Sequence, residues 1–276
     1  NYIDVYDSFA DSIEVSTAEE LQNYFSSGGE VKLADNITFA DNTFVTANTI
    51  LDLNGYTLDM GDKSLIPYGA SLTVEDYSTQ KDGKITGTTS FPIQIGSDSQ
   101  SASLILNSGI IDCRCSYCIR NYGDFTINEG SISGDDYVIY HLGSSLVLNN
   151  GTITASSGTV VYNGAENASF VMNDGLVKTL GDEVAIRLSV ANASFTMNGG
   201  TIEALYGGEG IPGGGNGIAA FKDTEVTINN GSITAYSHAL ISNGSKGTSA
   251  GTNARSNVNG GSITSINAAA IYAPQI

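Results

Sequence analysis

The chain has 276 residues, 41% of them apolar, with 11 Lys and Arg against 29 Asp and Glu and a formal net charge of −18. That apolar share supports a continuous core and excludes a disordered chain. Eleven cations in so acidic a chain exclude nucleic acid as a partner, and no apolar run approaches the ~20 residues of a membrane-spanning helix, so no membrane insertion is expected. Trp is absent, Pro occurs four times and Gly 33 times, the composition of an all-β chain with many tight turns.

The first predicted element is a helix over Thr17 to Ser26. In "STAEELQNYF", Thr17 is placed to cap the helix with Glu20 three residues on, and Ala18, Leu21 and Phe25 share one face. Such a helix suits a lid over an open core, and residues 1–30 are assigned to this N-terminal segment. From residue 31 to 276 the chain repeats itself. A degenerate phrase, "LDLNGYTLD" around Asn54, is followed by regular copies such as "FTINEGSISG" (Phe125 to Gly134) and "LVLNNGTITA" (Leu146 to Ala155). The pattern is apolar-x-apolar-Asn-x-Gly-x-apolar-x, with Asn at 107, 128, 149, 173, 198, 229 and 259 and spacings of 21, 21, 24, 25, 31 and 30. Each phrase predicts two short strands around a bend: Phe125, Ile127 and Ile132 point inward, Thr126 outward, and Asn128 and Gly130 turn the chain, both residue types tolerating positive φ. A third apolar segment is centred on Ile119, Ile139, Val161, Ile186, Ile218, Leu240 and Ile271. Three strands per 21 to 31 residues make one coil of a solenoid. About ten coils are expected, stacked at ~4.8 Å, with the asparagines forming an internal ladder of amides.

The phrases "TILDLNGYTLD", "GKITG" and "NGGTIEA" resemble the right-handed parallel β-helix of pectate-lyase-like proteins and the repetitive surface proteins of gut-dwelling Firmicutes. The resemblance covers residues 12 to 276 and implies right-handedness and an exported setting, either secreted or on the cell surface. The chain stops at "AAAIYAPQI", just after a third-strand segment, so further coils are expected beyond Ile276.

Several groups carry candidate chemistry. "CRCSYC" places Cys113, Cys115 and Cys118 in one run; it suits a thiolate metal site with His141 as fourth ligand, a Cys113–Cys118 or Cys115–Cys118 disulfide, or simple packing, since Cys118 shares a column with Val138, Val160, Ala185 and Gly217. "GDDY" (Gly134 to Tyr137) echoes the paired aspartates of polygalacturonase-like hydrolases, but that family's other motifs have no counterpart here, and Asp135 and Asp136 read better as solvated turn carboxylates. "YGGEGIPGGGNG" (Tyr206 to Gly217) lacks the Lys-Ser/Thr ending of a phosphate-binding loop and reads as a loop lengthening one coil. Ser and Thr form outward ladders, interrupted by Lys178 and Glu203.

One outward column departs from small and neutral residues. It runs Arg120, Tyr140, Tyr162 and Arg187, with Tyr117 and Tyr137 stacked beside it. Tyr rings that stack on sugar faces and forked guanidinium groups that grip carboxylates suit a groove for an acidic glycan or a host protein. Two functions are carried forward: a non-catalytic, adhesin-like or spacer segment of an exported bacterial surface protein, and a polysaccharide lyase or glycoside hydrolase acting on acidic glycans. No cofactor enters either expectation, and the missing carboxylate cluster favours the first.

Overall fold

The computed structural model describes residues 13–208, 214–221, 223–242 and 254–273. Among them the chain forms a parallel β-helix of the right-handed type, three strands to a coil, with one short helix near its N-terminal end. The strands collect into three parallel sheets of eleven, ten and ten strands. Ten stacked rungs enclose about nine turns. The first sheet holds the strand before each Asn, such as Asp124–Ile127; the second holds the strand after each Gly, such as Ser131–Gly134; the third holds the remaining segment, such as Tyr137–His141.

Register follows the repeat. In the first sheet Ile127, Leu148, Met172, Met197 and Ile228 sit over one another. Ile132, Ile153, Val177 and Ile202 do so in the second, and Ile119, Ile139, Val161, Ile186 and Ile218 in the third. All of these side chains are buried and form one core running along the solenoid. A single inward residue gains neighbours from the rungs above and below, so burial of ~1.5–3 kcal/mol per large apolar side chain accumulates rung by rung.

The helix runs Ala18–Ser27 with Thr17 as its N-cap, as expected, and extends one residue past Ser26. Thr17 Oγ1 accepts the Glu20 N–H at 3.3 Å and Glu20 Oε2 accepts the Thr17 N–H at 3.1 Å, a reciprocal capping box. Leu21 and Phe25 are buried, and the Phe25 ring lies 6.2 Å from Phe39, so the apolar face covers the first coils as a lid. The strand Ile13–Val15 precedes it and already pairs with Gly29–Leu33 in the first sheet. At the other end the column mates of Ile228 and Leu240, namely Val258 and Ile271, are exposed. Residues 274–276 and the stretch 209–213 of the glycine-rich run lie outside the described residues.

Two expectations about the bend need correction. The positive φ falls on the glycine column, from Gly109 to Gly261 through Gly130 at +92°, and not on the seven asparagines. Nor is the amide ladder internal. Asn128 follows the inward Ile127, so the period of two turns it outward at the corner, where the file runs from half-buried Asn107 to exposed Asn259. Each Nδ2 donates to the Oδ1 of the previous rung at 2.7–2.9 Å, through all seven residues. Asn107 Nδ2 ends the chain of bonds on Glu75 Oε1 at 2.6 Å, so the amide dipoles align toward a carboxylate.

Candidate functional site

The outward face of the third sheet carries the expected column in register: Arg120 beside Tyr140, Tyr140 beside Tyr162, Tyr162 beside Arg187, and Tyr117 beside Tyr137. These side chains are brought together because they alternate with inward residues on strands only one rung apart, and each is half-buried against its neighbours. Tyr140 and Tyr162 stack with centroids 5.1 Å apart and planes 2° from parallel; Tyr117 and Tyr137 stack at 5.2 Å and 12°. The two stacks meet edge to face, Tyr117 with Tyr140 at 6.1 Å and Tyr137 with Tyr162 at 5.8 Å. This is the offset and T-shaped geometry that aromatic quadrupoles favour.

Three further rings complete the file. Phe91 packs 5.0 Å from Tyr117 and lies under Arg120, whose guanidinium carbon is 3.6 Å from the ring centre; Tyr122 flanks the same guanidinium at 6.0 Å. Arg187 lies 5.2 Å from Phe221 and 6.0 Å from Tyr162, and its Nε donates to Ser189 Oγ at 3.1 Å. A cation therefore closes each end of the file. Phe91 also has φ of +64°, in the left-handed region that costs a bulky residue roughly 1–2 kcal/mol. The Arg120 contact offsets that cost. Sequence periodicity missed Phe91 because it lies in the turn before the strand Ile93–Ile95, where no column predicts it.

The rings turn their faces to one another, so the expected mode, a sugar lying flat on a Tyr face, is closed along the centre of the file. What they offer instead is polar. Among the described residues none of the four hydroxyls has a hydrogen-bond partner, and none is sealed from solvent. Burial pushes the Tyr140 hydroxyl above its usual value, with Tyr162 adding to the shift, and burial followed by the Asp136 charge does the same at Tyr137. These phenols stay protonated and both donate and accept.

Directly behind the face lies a buried polar file, Asn121, His141 and Asn163, each following an outward residue of the column. Asn121 Nδ2 stands 3.0 Å from His141 Nδ1, and His141 Nε2 stands 3.2 Å from the Ser169 carbonyl oxygen. Asn121 Oδ1 accepts the Gly123 N–H at 3.0 Å, while Asn163 Nδ2 donates to Ala168 and Ser194 carbonyls at 3.1 Å each. Asn163 Oδ1 has no partner.

Cys113 and Cys118 form a disulfide, closing the turn from the second sheet into the strand that carries Tyr117. Cys115 is a free thiol that donates to the Tyr117 carbonyl at 3.1 Å, and burial pushes its pKa up. His141 points into the core, away from any thiolate role. Among the described residues no group of three or more His, Cys, Asp and Glu side chains is arranged to hold a metal ion.

The acidic candidates separate. Asp135 is exposed at a turn and accepts Ser156 Oγ at 3.2 Å. Asp136 is half-buried, and burial raises its pKa. Gly158 lies so close beneath Asp136 that a Cβ there would strike its carboxylate. In the second-sheet column Lys178 and Glu203 pair at 3.0 Å across one rung. Buried Asp52 and Asp76 instead bind backbone: Asp52 Oδ1 accepts N–H groups of Asn54 and Tyr77, and Asp76 those of Gly55, Ser78 and Gly83. They replace the regular bend in the degenerate early coils.

Comparison of the chain with protein-family models, with curated proteins and with solved structures gives no match in any of the three. No helix among the described residues is long and apolar enough to cross a membrane.

Proposed function

We propose that this solenoid is a non-catalytic, adhesin-like segment of an exported bacterial cell-surface protein, presenting its third sheet to a glycan or a host surface protein. Arg120, Tyr140, Tyr162, Arg187, Tyr117 and Tyr137 are the contact residues. The wording of its repeats, similar to pectate-lyase-like helices and to surface proteins of gut Firmicutes, belongs to this proposal. The observation that carries it is the row of four solvent-facing hydroxyls, without a protein partner among the described residues, ended by a guanidinium at each side, three rungs or ~14 Å apart. Hydroxyls and guanidinium edges suit a polyhydroxylated chain laid along the solenoid axis and bound edge-on by hydrogen bonds, with acid groups at its two ends.

A second reading, cleavage of an acidic glycan, has one observation in its favour. A shallow depression of about 320 Å³ beside the disulfide is lined by Asp112, Arg114, Ser133 and Asp135. Asp112 is already engaged, accepting Ser133 Oγ at 2.7 Å, and neither carboxylate is buried.

The test combines a glycan array with incubation on acidic polysaccharides such as pectin and hyaluronan. Capture of a defined glycan without release of unsaturated or reducing sugars is expected. Release of such products by the wild-type chain overturns the proposal in favour of the second reading.

A further inference from the structure

His141 is fully buried and its two ring nitrogens face unlike groups. Nε2 faces the Ser169 carbonyl, which only accepts, so Nε2 carries the hydrogen; Nδ1 faces the Asn121 amide nitrogen, which only donates, so Nδ1 is bare. The Asn121 amide cannot turn over to relieve a change, because its Oδ1 is held by the Gly123 N–H and its Nδ2 also reaches the Ser145 carbonyl at 3.4 Å. The neutral Nε2–H tautomer is thus the one the core accommodates. A proton on Nδ1 would set two N–H donors against each other at 3.0 Å within the buried core.

We infer that His141 is an acid-sensitive pin, whose protonation loosens the rungs that carry Arg120, Tyr140 and Tyr162. The pin belongs to the fold whatever the face binds; only its consequence, release of a ligand in acid, rests on the function proposed above. The surroundings offer little compensation. The strands above and below present Asn121 and Asn163 inward and Arg120 and Tyr162 outward, and the strands Ser145–Leu148 and Ser169–Met172 bear no ionisable side chain. On its own strand Tyr137 and Tyr140 point outward. Asp124, on the strand Asp124–Ile127, favours the imidazolium, but it is exposed and accepts Ser144 Oγ at 2.9 Å. Burial outweighs it and pushes the His141 pKa down to about 4.

The sign follows from that depression. An unfolded chain takes up the proton near pH 6.5 and the folded one only near 4, so stability is present above ~6.5 and is lost as the pH falls toward ~4. Between pH 8 and pH 5 the unfolding equilibrium constant should rise roughly 30-fold more in the wild type than in a variant without the ring. Two substitutions suit the column, His141→Asn, matching Asn121 and Asn163, and His141→Leu, matching Leu188.

Urea unfolding of the full chain and both variants across this pH range is the experiment. Divergence by that factor is expected; parallel curves overturn the pin. A measurement on the wild type alone guards against variants that fail to fold: nitrogen NMR of the ring should report a neutral Nε2–H tautomer down to pH 5, and charging near pH 6.5 overturns the pin as well. Failure to capture any glycan or protein at pH 7 would count against the proposed function and leave these two readouts standing.

Discussion

The corner file of asparagines and the third-sheet file of tyrosines and arginines share one rung spacing but dispose of their polar groups differently. Every asparagine bonds to the rung before it, and the chain of amides ends on Glu75. Among the described residues the four tyrosine hydroxyls bond to no protein group, although their rings stack rung on rung with centroids 5.1–5.2 Å apart. The repeated amides therefore satisfy one another within the fold, whereas the tyrosine hydroxyls face solvent and leave their hydrogen-bonding capacity open, which is what the proposed binding face uses.

Both files rest on the same alternation of inward and outward residues, so the largest effect tests that alternation. Ile153→Asp places a charge in the second-sheet core column and should destabilise by several kcal/mol in urea unfolding, whereas Thr154→Asp, outward beside Lys178, should change stability by less than about 0.5 kcal/mol. Equal losses would mean that the two files are not on opposite sides of the sheets from the core.

Next is the covalent support of the tyrosine file. Replacing Cys113 and Cys118 with Ser opens a five-residue separation and should cost about 2 kcal/mol, felt first at Tyr117 in hydrogen exchange. Thiol titration of the unfolded, unreduced wild type should find Cys115 alone, one reactive thiol per chain, rising to three after reduction.

Within the asparagine file, Asn149→Ala removes two rung-to-rung bonds and should cost about 1–2 kcal/mol, while Asn259→Ala removes one exposed bond and should cost less than half of that. The smallest effect is expected in the other file. Tyr140→Phe with Tyr162→Phe keeps the stacked pair and removes two hydroxyls that hold nothing, so the melting temperature should stay within a few degrees of wild type.

The coil, its three strands and the register of nearly every inward side chain were legible in the sequence, because a period of two inside a period of about 21 to 31 leaves one way to bury Ile127, Ile132 and Ile139 together. The Tyr and Arg column was legible for the same reason. What escaped depends on direction and chemistry. Asn128 reads as part of an internal amide ladder, yet one residue after inward Ile127 it must face out. Ring orientation is set by neighbouring rings and by Phe91, a turn residue outside the repeat, so the closed Tyr faces had no signal in the columns. His141, Asn121 and Asn163 occupy an inward column that is apolar in flanking rungs, at Ile95 and Leu188. The pairing of His141 with Asn121 depends on side-chain rotation, which spacing does not encode.

The central claim is that the hydroxyls of the Tyr file serve a partner and not the fold. Its most direct test is a binding titration of wild type against the variant Tyr117→Phe, Tyr137→Phe, Tyr140→Phe, Tyr162→Phe, using whichever glycan or surface protein the wild type captures at pH 7, with melting recorded for both. Each lost hydrogen bond is worth about 0.5–1.5 kcal/mol, so affinity should fall at least ~10-fold while the melting temperature stays within a few degrees. Equal affinity in the two proteins would contradict the claim.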